Sequence, residues 1–283
     1  MVVTLASDNY GKSEIRLVKV VRDGARHFLH DYTVAVRCEG AFASAHVDGD
    51  NSAVLPTDTM KNTVYAFARL HDVIPPERFA ARLAEHFLDA SPEATRATVE
   101  IAVRGWHRLD VGGRAHDTAF ERGSDEARVC AVADTRDGAA VVEAGVRDLV
   151  VLRTAGSAFS GYPRDQYTTL KETRDRILAT AVSARWRYDR AVADPDAAFA
   201  AARQALVATF ANHPSESVQH TLFAMGAAVL AAVDAVAEIR LSLPNMHHLL
   251  VDLSPFKLDN PNEVFVATTE PFGLIEATVA RGA

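Results

Sequence analysis

Apolar and polar residues alternate near the start of the chain in the way that is typical of a β-hairpin. The alternation runs from Ile15 to Val20, and Asp23-Gly24 supplies a tight turn. Successive side chains of a strand point to opposite faces, so a period of two marks one buried face. On the return run that face carries Tyr32, Val34, Val36 and Cys38. The pattern therefore predicts two antiparallel strands.

Helical spacing begins after a polar stretch that extends from residue 39 to residue 56. Met60 and Val64 are one helical turn apart, which places them on one face of a helix. Pro75-Pro76 ends this helix and begins a second one, because proline fits the first helical turn but not the interior. Strand alternation returns from Val99 to Val103, and Gly112-Gly113 marks the turn into another strand.

The second half of the chain repeats this order of elements, although the two halves are not obviously alike in sequence. Residues 165–176 show no clear pattern. Each half thus contains two strands, two helices and two more strands, which predicts two domains, residues 1–137 and 138–283. In the second domain the predicted elements are strands at 149–152 and 177–186, helices that begin at Pro195 and near Val218, a strand at 239–243, and final strands at 264–267 and 274–279.

The predicted fold class is α+β, with two antiparallel sheets that are each covered on one face by a pair of helices. The uncovered faces of the sheets also carry apolar residues and must be buried somewhere. Closure of the sheets into a barrel by copies of the same chain would bury them. The pattern therefore favours an oligomer.

Composition excludes several classes of protein. The chain has 283 residues, of which 48% are hydrophobic and 24% charged, as in an ordinary globular protein. The net charge of −7 and the scattered basic residues disfavour nucleic-acid binding. No apolar run reaches the roughly 18 residues of a membrane helix. No secretory signal and no peroxisomal C-terminal signal are visible, so the expected location is the cytoplasm.

The two cysteines, Cys38 and Cys130, lie in apolar strand patterns. They have neither metal-ligand spacing nor the spacing of a disulfide framework. We expect both to be buried as small hydrophobic side chains.

The most informative stretch is LPTDTMKNTVY at residues 55–65, where a loop turns into a helix. It places the hydroxyl of Thr57 and the carboxylate of Asp58 beside backbone N–H groups that a helix start leaves unpaired, a natural place for an anionic or amide-rich ligand. A structural alternative is that Thr57 is the N-cap of the helix, worth about 1 kcal/mol. The two interpretations are compatible.

This stretch resembles the corresponding segment of the urate oxidase (uricase) family, and four other places resemble the same family in the same order. They are Tyr10-Gly11-Lys12, the region from Gly156 to Arg176, Ser217-Val218-Gln219, and Ser242 to His247. The resemblance covers nearly the whole chain. Two departures are Ser160, where many members have an aromatic residue, and Arg174, where tryptophan is common; both concern the pocket wall.

The resemblance implies two tandem tunnelling-fold domains of order ββααββ, with four chains stacked as a homotetramer around a tunnel. It implies active sites at the subunit interfaces. Members of the family convert urate and O₂ into 5-hydroxyisourate and hydrogen peroxide, with O₂ as co-substrate and with no metal and no organic cofactor. The expected partners are therefore urate, O₂ and other copies of the chain.

By the same resemblance, Lys12, Thr57 and His247 form the catalytic proton relay. Thr57 and Asp58 also contact the substrate, the latter through the helix-start N–H groups. Asn245 holds O₂ or the water that replaces it.

The remaining residues implied by the resemblance bind the purine. Phe159 stacks on the ring, and Arg176 holds its oxygen-bearing edge, because a planar guanidinium matches a planar anion. Gln219 pairs with the opposite edge through one donor and one acceptor, and the Val218 N–H adds a contact.

Each of these residues also has a purely structural interpretation. Lys12 would be a solvated surface residue, Phe159 a core residue, and Arg176 the partner of Asp175 or Glu172 in a surface ion pair. Val218 would be a core residue and Gln219 an exposed helical residue. His247 would be structural; a metal site with His248 lacks a further ligand at suitable spacing.

Two other functions remain open. Tunnelling-fold enzymes that act on pterins or other purines hold the ring with a buried carboxylate, and some add a Cys/His zinc site. A non-catalytic purine-binding protein could keep the same fold, although binding alone requires none of Lys12, Thr57 and His247.

Overall fold

The chain divides into two compact units, one up to Gly145 and one from Val146 onward. The computed structural model describes residues 2–282, apart from the side chain of Thr269. Across these residues, every helix falls short of the length and apolarity that a membrane crossing demands. The predicted domain boundary between residues 137 and 138 lies in the connection between two strands that end at Thr135 and begin at Val141, and it stays a prediction.

In the first unit a sheet of antiparallel strands follows the order of the chain. The predicted hairpin is confirmed, since Tyr32, Val34, Val36 and Cys38 are all at most 2% exposed. The strands are β1 (Tyr10–Asp23), β2 (Arg26–Gly40), β3 (Ala94–Asp110) and β4 (Ala115–Thr135), and the helices are α1 (Ala43–Val47), α2 (Thr57–Leu70) and α3 (Pro76–Ala90).

Helices α2 and α3 cover the sheet of the first unit. Helix α3 packs on β3 and β4, and α2 packs on β1. The Tyr32 hydroxyl donates a hydrogen bond of 2.8 Å to the Val73 carbonyl, which ties β2 to the connection between the two helices. The core lies between the helices and this face of the sheet, as the apolar stripes predict.

Two local predictions for the first unit are wrong. The polar stretch at residues 39–56 is not wholly irregular, because β2 continues to Gly40 and α1 follows. Helix α1 has five residues and buries none of them, so it leaves no periodic apolar signal. Lys12 lies within β1 and pairs with Val36, rather than preceding the strand.

The second unit repeats the arrangement. Strands β6–β7 and β7–β8 pair antiparallel, α5 packs on β7 and β8, and α4 packs on α5. Strand β5 (Val141–Arg153) begins before the boundary at Gly145 and continues into this unit. The elements that follow are β6 (Leu178–Tyr188), α4 (Pro195–Asn212), α5 (Val218–Ala232), β7 (Val236–Leu250), a short 3₁₀ helix (Ser254–Phe256) and β8 (Phe265–Ala280).

The end of the chain differs from its prediction. The two expected final strands are one strand, β8, because β7 shifts its register between Asn245 and His247 and thereby keeps pairing past Pro271 and Gly273. For the same reason β7 runs on to Leu250, so His247 lies within a strand and not after one.

Both cysteines are buried, as predicted, and the two are not joined in a disulfide. Burial raises the pKa of the Cys38 thiol to about 11, because a thiolate is poorly solvated among apolar side chains. Cys38 is therefore uncharged and packs as an apolar residue.

A buried ion pair joins the helices to the sheet of the first unit. Glu77, in the first turn of α3, accepts hydrogen bonds of 2.8 and 3.0 Å from the Arg128 guanidinium on β4. The side chains are only 4% and 15% exposed. Loss of one charge from a buried pair of this kind costs more than the loss of one from an exposed pair.

We predict that Glu77→Gln lowers the free energy of unfolding by about 3 kcal/mol, because the Arg128 charge stays buried but loses the carboxylate that it contacts. The control is Glu100→Gln, which makes the same change in the exposed Arg37–Glu100 pair at 3.3 Å and should cost less than about 1 kcal/mol. Urea unfolding followed by circular dichroism measures both. Equal losses for the two variants would contradict the assignment.

Candidate active site

A cavity of about 260 Å³ lies in the second unit, between the loop regions after β5, the start of α5 and the middle of β7. It brings together predicted residues that are far apart in the chain: Phe159, Arg176, Val218, Gln219, Asn245 and His247. His248, which the sequence offered only as a partner of His247 in a metal site, also lines the cavity. The other lining residues, which were not predicted to bind, are Leu170, Lys171, Thr173, Ile177, Met246, Leu249 and Ile275.

The segment that carries Phe159 is pinned on two sides by backbone hydrogen bonds. Phe159 and Thr173 exchange N–H···O bonds of 2.8 and 3.1 Å, as a one-residue antiparallel bridge. On the other side, the Ala158 N–H donates to the Ser215 carbonyl at 2.7 Å, and the Ser215 N–H donates to Gly156 at 3.2 Å. The Phe159 ring is thus held between the irregular run at 165–176 and the entrance to α5.

Arg153, at the end of β5, joins the same segments through hydrogen bonds. Its guanidinium donates to the carbonyls of Phe210 at 3.2 Å, His213 at 2.6 Å and Gly156. Burial lowers the pKa of Arg153, while the charge of Asp175 acts in the opposite direction. Asp175 in turn accepts from the Gly156 N–H at 2.7 Å. No feature of the sequence marked Arg153, because its acceptors are backbone carbonyls that carry no side-chain signature.

Arg176 contributes a half-buried positive charge to the cavity. Its guanidinium carbon lies 5.4 Å from the centroid of the Phe159 ring. Burial lowers its pKa, and its Nε is buried without a hydrogen-bond partner among the residues that the structure describes. A buried donor without a partner is costly, so a ligand acceptor at this place would gain free energy.

The alternative interpretation of Arg176 as a surface ion pair is wrong. Asp175 is engaged with the Gly156 N–H, and Glu172 lies 3.9 Å from Arg164 and accepts from the Gly161 N–H. Phe159 is likewise half-buried at the cavity wall and not part of the packed core.

Helix α5 presents its N-terminus to the cavity. Ser217 is the N-cap, and its hydroxyl accepts from the His220 N–H at 3.1 Å. Val218 is buried and Gln219 is exposed at the cavity rim. The first N–H groups of a helix have no intrahelical acceptor, and the helix dipole favours negative charge there.

Strand β7 supplies the opposite wall. Asn245 pairs with Gly273 of β8, whereas His247 pairs with Thr268, so the partner strand bulges between these positions. Such a bulge re-aims the side chains next to it. It is the structural reason why Asn245, Met246, His247 and His248 can all line the cavity.

The cavity favours an anion. Its walls carry Arg176, Lys171 and two histidines, and the described lining contains no Asp or Glu. Within residues 2–282 the structure shows no group of three or more His, Cys, Asp or Glu side chains placed to hold a metal ion.

Lys12 is the third residue of β1 in the first unit, in a segment that is hydrogen-bonded to the loop before α2. The Tyr10 hydroxyl accepts from the Leu55 N–H at 2.9 Å. Glycine is required at position 11, between Tyr10 and Lys12, since a Cβ there would lie 1.9 Å from the Val36 carbonyl oxygen. Tyr10 and Gly11 therefore fix the backbone that presents Lys12.

Thr57 is the first residue of α2, and Pro56 is the N-cap without any side-chain cap bond. The interpretation of Thr57 as the N-cap is therefore wrong, and its own N–H is one of those left free by the helix. Asp58 is exposed, and its pKa is lowered by a hydrogen bond from Lys61 and, more weakly, by the charge of Lys12. Lys12, Thr57 and Asp58 thus form one group within the first unit.

Comparison with known proteins identifies the family. The model of the uricase family matches residues 8–133 and 142–276. The chain belongs to the uricase family. A uricase from Arthrobacter globiformis is 47% identical over 99% of this chain and 90% of that protein. A uricase from Aspergillus flavus is 37% identical over 96% of this chain and 95% of that one.

Solved structures agree with the uricase assignment. The crystal structure of the Arthrobacter globiformis uricase matches with a TM-score of 0.94 and 46% identity over 99% of this chain and 96% of that chain. A uricase from Bacillus fastidious matches with a TM-score of 0.85 at 23% identity, covering 98% of this chain and 94% of that one, which shows the shared fold alone. The two tandem domains of the fold are confirmed by these matches.

Two histidines lie against the start of α5. The rings of His213 and His220 are 4.4 Å apart between centroids. Burial, and then the charges of His220 and Arg153, lower the pKa of His213, because each of them disfavours an imidazolium. The folded protein therefore binds a proton at His213 less readily than the unfolded chain does.

We predict that the free energy of unfolding falls as the pH drops below about 6.5, the pKa of a histidine in the unfolded chain. The reason is that the unfolded chain binds the proton at a higher pH than the folded protein does. The stabilising effect of neutral His213 is complete above that pH. His213→Gln should lose less stability between about pH 7.5 and about pH 5.5. Urea midpoints at both values measure this, and parallel losses in the two proteins would rule out His213 as the source.

Proposed function

We propose that the protein is a urate oxidase that converts urate, O₂ and water into 5-hydroxyisourate and hydrogen peroxide, with no metal and no organic cofactor. The observation that carries the proposal is the cationic cavity, in which the Arg176 guanidinium lies beside the Phe159 ring and its Nε has no hydrogen-bond partner within the described part of the chain. Membership of the uricase family supports the same reaction. The proposed place of action is the cytoplasm, which rests on the sequence-based expectation.

Urate binds as a flat anion against Phe159. Arg176 donates a fork of hydrogen bonds to one oxygen-bearing edge, and Gln219 donates and accepts at the opposite edge. The Val218 N–H at the start of α5 adds a donor. An aromatic face and a helix N-terminus together select a planar, negatively charged ring over a flexible anion.

The chemistry requires that urate become a better electron donor, because O₂ reacts slowly with closed-shell molecules. Lys12, as a neutral base acting through Thr57, removes a proton from bound urate. Two electrons then pass to O₂ held near Asn245, and recombination gives a hydroperoxide on the ring. Water replaces the peroxide, and His247 carries the displaced proton.

We propose that two subunits share one site. Lys12, Thr57 and Asp58 belong to the first unit, whereas the cavity belongs to the second. We assign these roles to neighbouring chains of a homotetramer, in which the sheets close into a barrel. Apolar residues that would be covered include Val18 on β1, which is 57% exposed, and Leu274 on β8, which is 56% exposed.

Two alternatives fit less well. A pterin enzyme of the same fold would hold its ring with a carboxylate, and the described lining of the cavity has none. A non-catalytic purine-binding protein has no need of Lys12 beside the start of α2. Both alternatives predict no consumption of urate.

We predict that Lys12→Met lowers kcat by about 100-fold or more while urate still binds, because the variant loses the base but not the cavity. The measurement is loss of the urate absorbance band together with O₂ uptake, in chelator-treated protein. Lys257→Met, which removes an exposed lysine elsewhere, is the matched control. If the wild-type protein consumes no urate, the function is wrong; if Lys12→Met keeps normal turnover, only the base is misassigned.

Arg176→Ala should act mainly on binding. Loss of a charged hydrogen bond of about 2 kcal/mol predicts a rise in KM of about 30-fold, with a smaller change in kcat. Arg190→Ala, which removes an exposed arginine paired with Asp189, is the control and should leave KM unchanged. An unaltered KM for Arg176→Ala would remove this residue from the binding site.

A further inference from the structure

Phe159 does not stand alone at the cavity wall, because a second aromatic ring stacks on it. The centroids of Phe159 and Tyr162 are 4.9 Å apart and their planes differ by 15°. This is an offset parallel stack, in which each ring covers part of one face of the other. One face of Phe159 is therefore already occupied, and a ligand can stack only on the other face.

Tyr162 lies behind Phe159 and not beside the ligand. Phe159 lines the cavity, whereas Tyr162 is absent from its lining. The order of the layers is therefore cavity, Phe159, Tyr162. In this order of layers, Tyr162 acts on a molecule in the cavity through Phe159.

Tyr162 is itself held at several points. Its hydroxyl donates to the Leu170 carbonyl at 2.7 Å, and the Arg164 guanidinium carbon lies 5.6 Å from its ring centroid. Gly161 has a φ of +74°, a left-handed conformation that turns the chain so that residue 162 comes back under residue 159. The residue next to Phe159, Ser160, is exposed and leaves this role to Tyr162.

We infer that Tyr162 is a positioning residue for substrate binding: it fixes the tilt of the Phe159 ring and reserves the cavity face of that ring for the purine. The inference rests on the proposed function, since it takes Phe159 as the stacking platform. Without Tyr162, the Phe159 ring gains rotational freedom that substrate binding must remove again.

The test compares Tyr162→Leu, which removes the aromatic ring, with Tyr162→Phe, which keeps it. Binding of urate is measured by ultraviolet titration in the absence of O₂, and KM and kcat are measured in its presence. Tyr162→Leu should raise the dissociation constant and KM by about 3- to 10-fold, the range for a lost aromatic pair, with kcat within about twofold. Tyr162→Phe should restore wild-type binding. Phe256→Ala, which truncates a 71% exposed aromatic in the same unit, should change neither.

A double-mutant cycle with Phe159→Ala separates positioning from a general structural effect. If Tyr162 acts through Phe159, Tyr162→Leu should have no further effect on urate binding once Phe159 is removed. Independent, additive losses would overturn the inference, and so would unchanged binding in Tyr162→Leu. A fall in thermal stability common to Tyr162→Leu and Tyr162→Phe, with binding unchanged in both, would also overturn it.

Failure of the proposed function gives a different result. In that case Phe159→Ala alone would leave urate binding unchanged, whatever Tyr162 does. Weakened binding in Phe159→Ala together with normal binding in Tyr162→Leu would retain the platform and reject only the role of Tyr162.

Discussion

The site depends on keeping one cation, Arg176, half-buried beside an aromatic ring with part of its hydrogen-bonding capacity unused. Such a group is unfavourable in an empty protein, so the surrounding structure must hold it in place. The hydrogen bonds of Arg153, the backbone bridge at Phe159 and the carboxylate of Asp175 do this. A planar anion that binds here can accept the hydrogen bond that Arg176 does not make within the described protein, and this bond favours binding.

The cavity and Lys12 belong to different units of the chain. The second unit carries the cavity, with its helix N-terminus, its cations and its stacking ring. The first unit carries Lys12 next to the start of α2, where backbone N–H groups point outward. Among the described residues, neither unit contains a complete catalytic constellation, and the proposed function assigns the two parts to neighbouring chains. The exposed apolar residues on β1 and β8 give a physical reason for such an association.

Regular elements could be predicted where apolar side chains repeat with the period of the element, as on β2 and α3. Prediction failed where tertiary contacts override local signals. Pro271 and Gly273 indicated a break in β8, but pairing with the shifted register of β7 keeps the strand continuous. In the site, residues carried by recognisable motifs could be named in advance. Arg153 and Tyr162 could not, because backbone carbonyls and another ring are their partners, and a sequence shows neither.

The central claim is that one chain supplies Lys12 and another supplies Arg176. It is tested most directly by mixing subunits of two variants that are each impaired at low substrate, Lys12→Met and Arg176→Ala, through reversible unfolding or co-expression, and measuring urate oxidation at low substrate. When equal amounts of the two variants are mixed, about a quarter of the sites combine a chain that keeps Lys12 with a neighbour that keeps Arg176. The expected result is therefore that hybrid oligomers regain about a quarter of wild-type activity. Activity no greater than the sum of the two separate variants would contradict it.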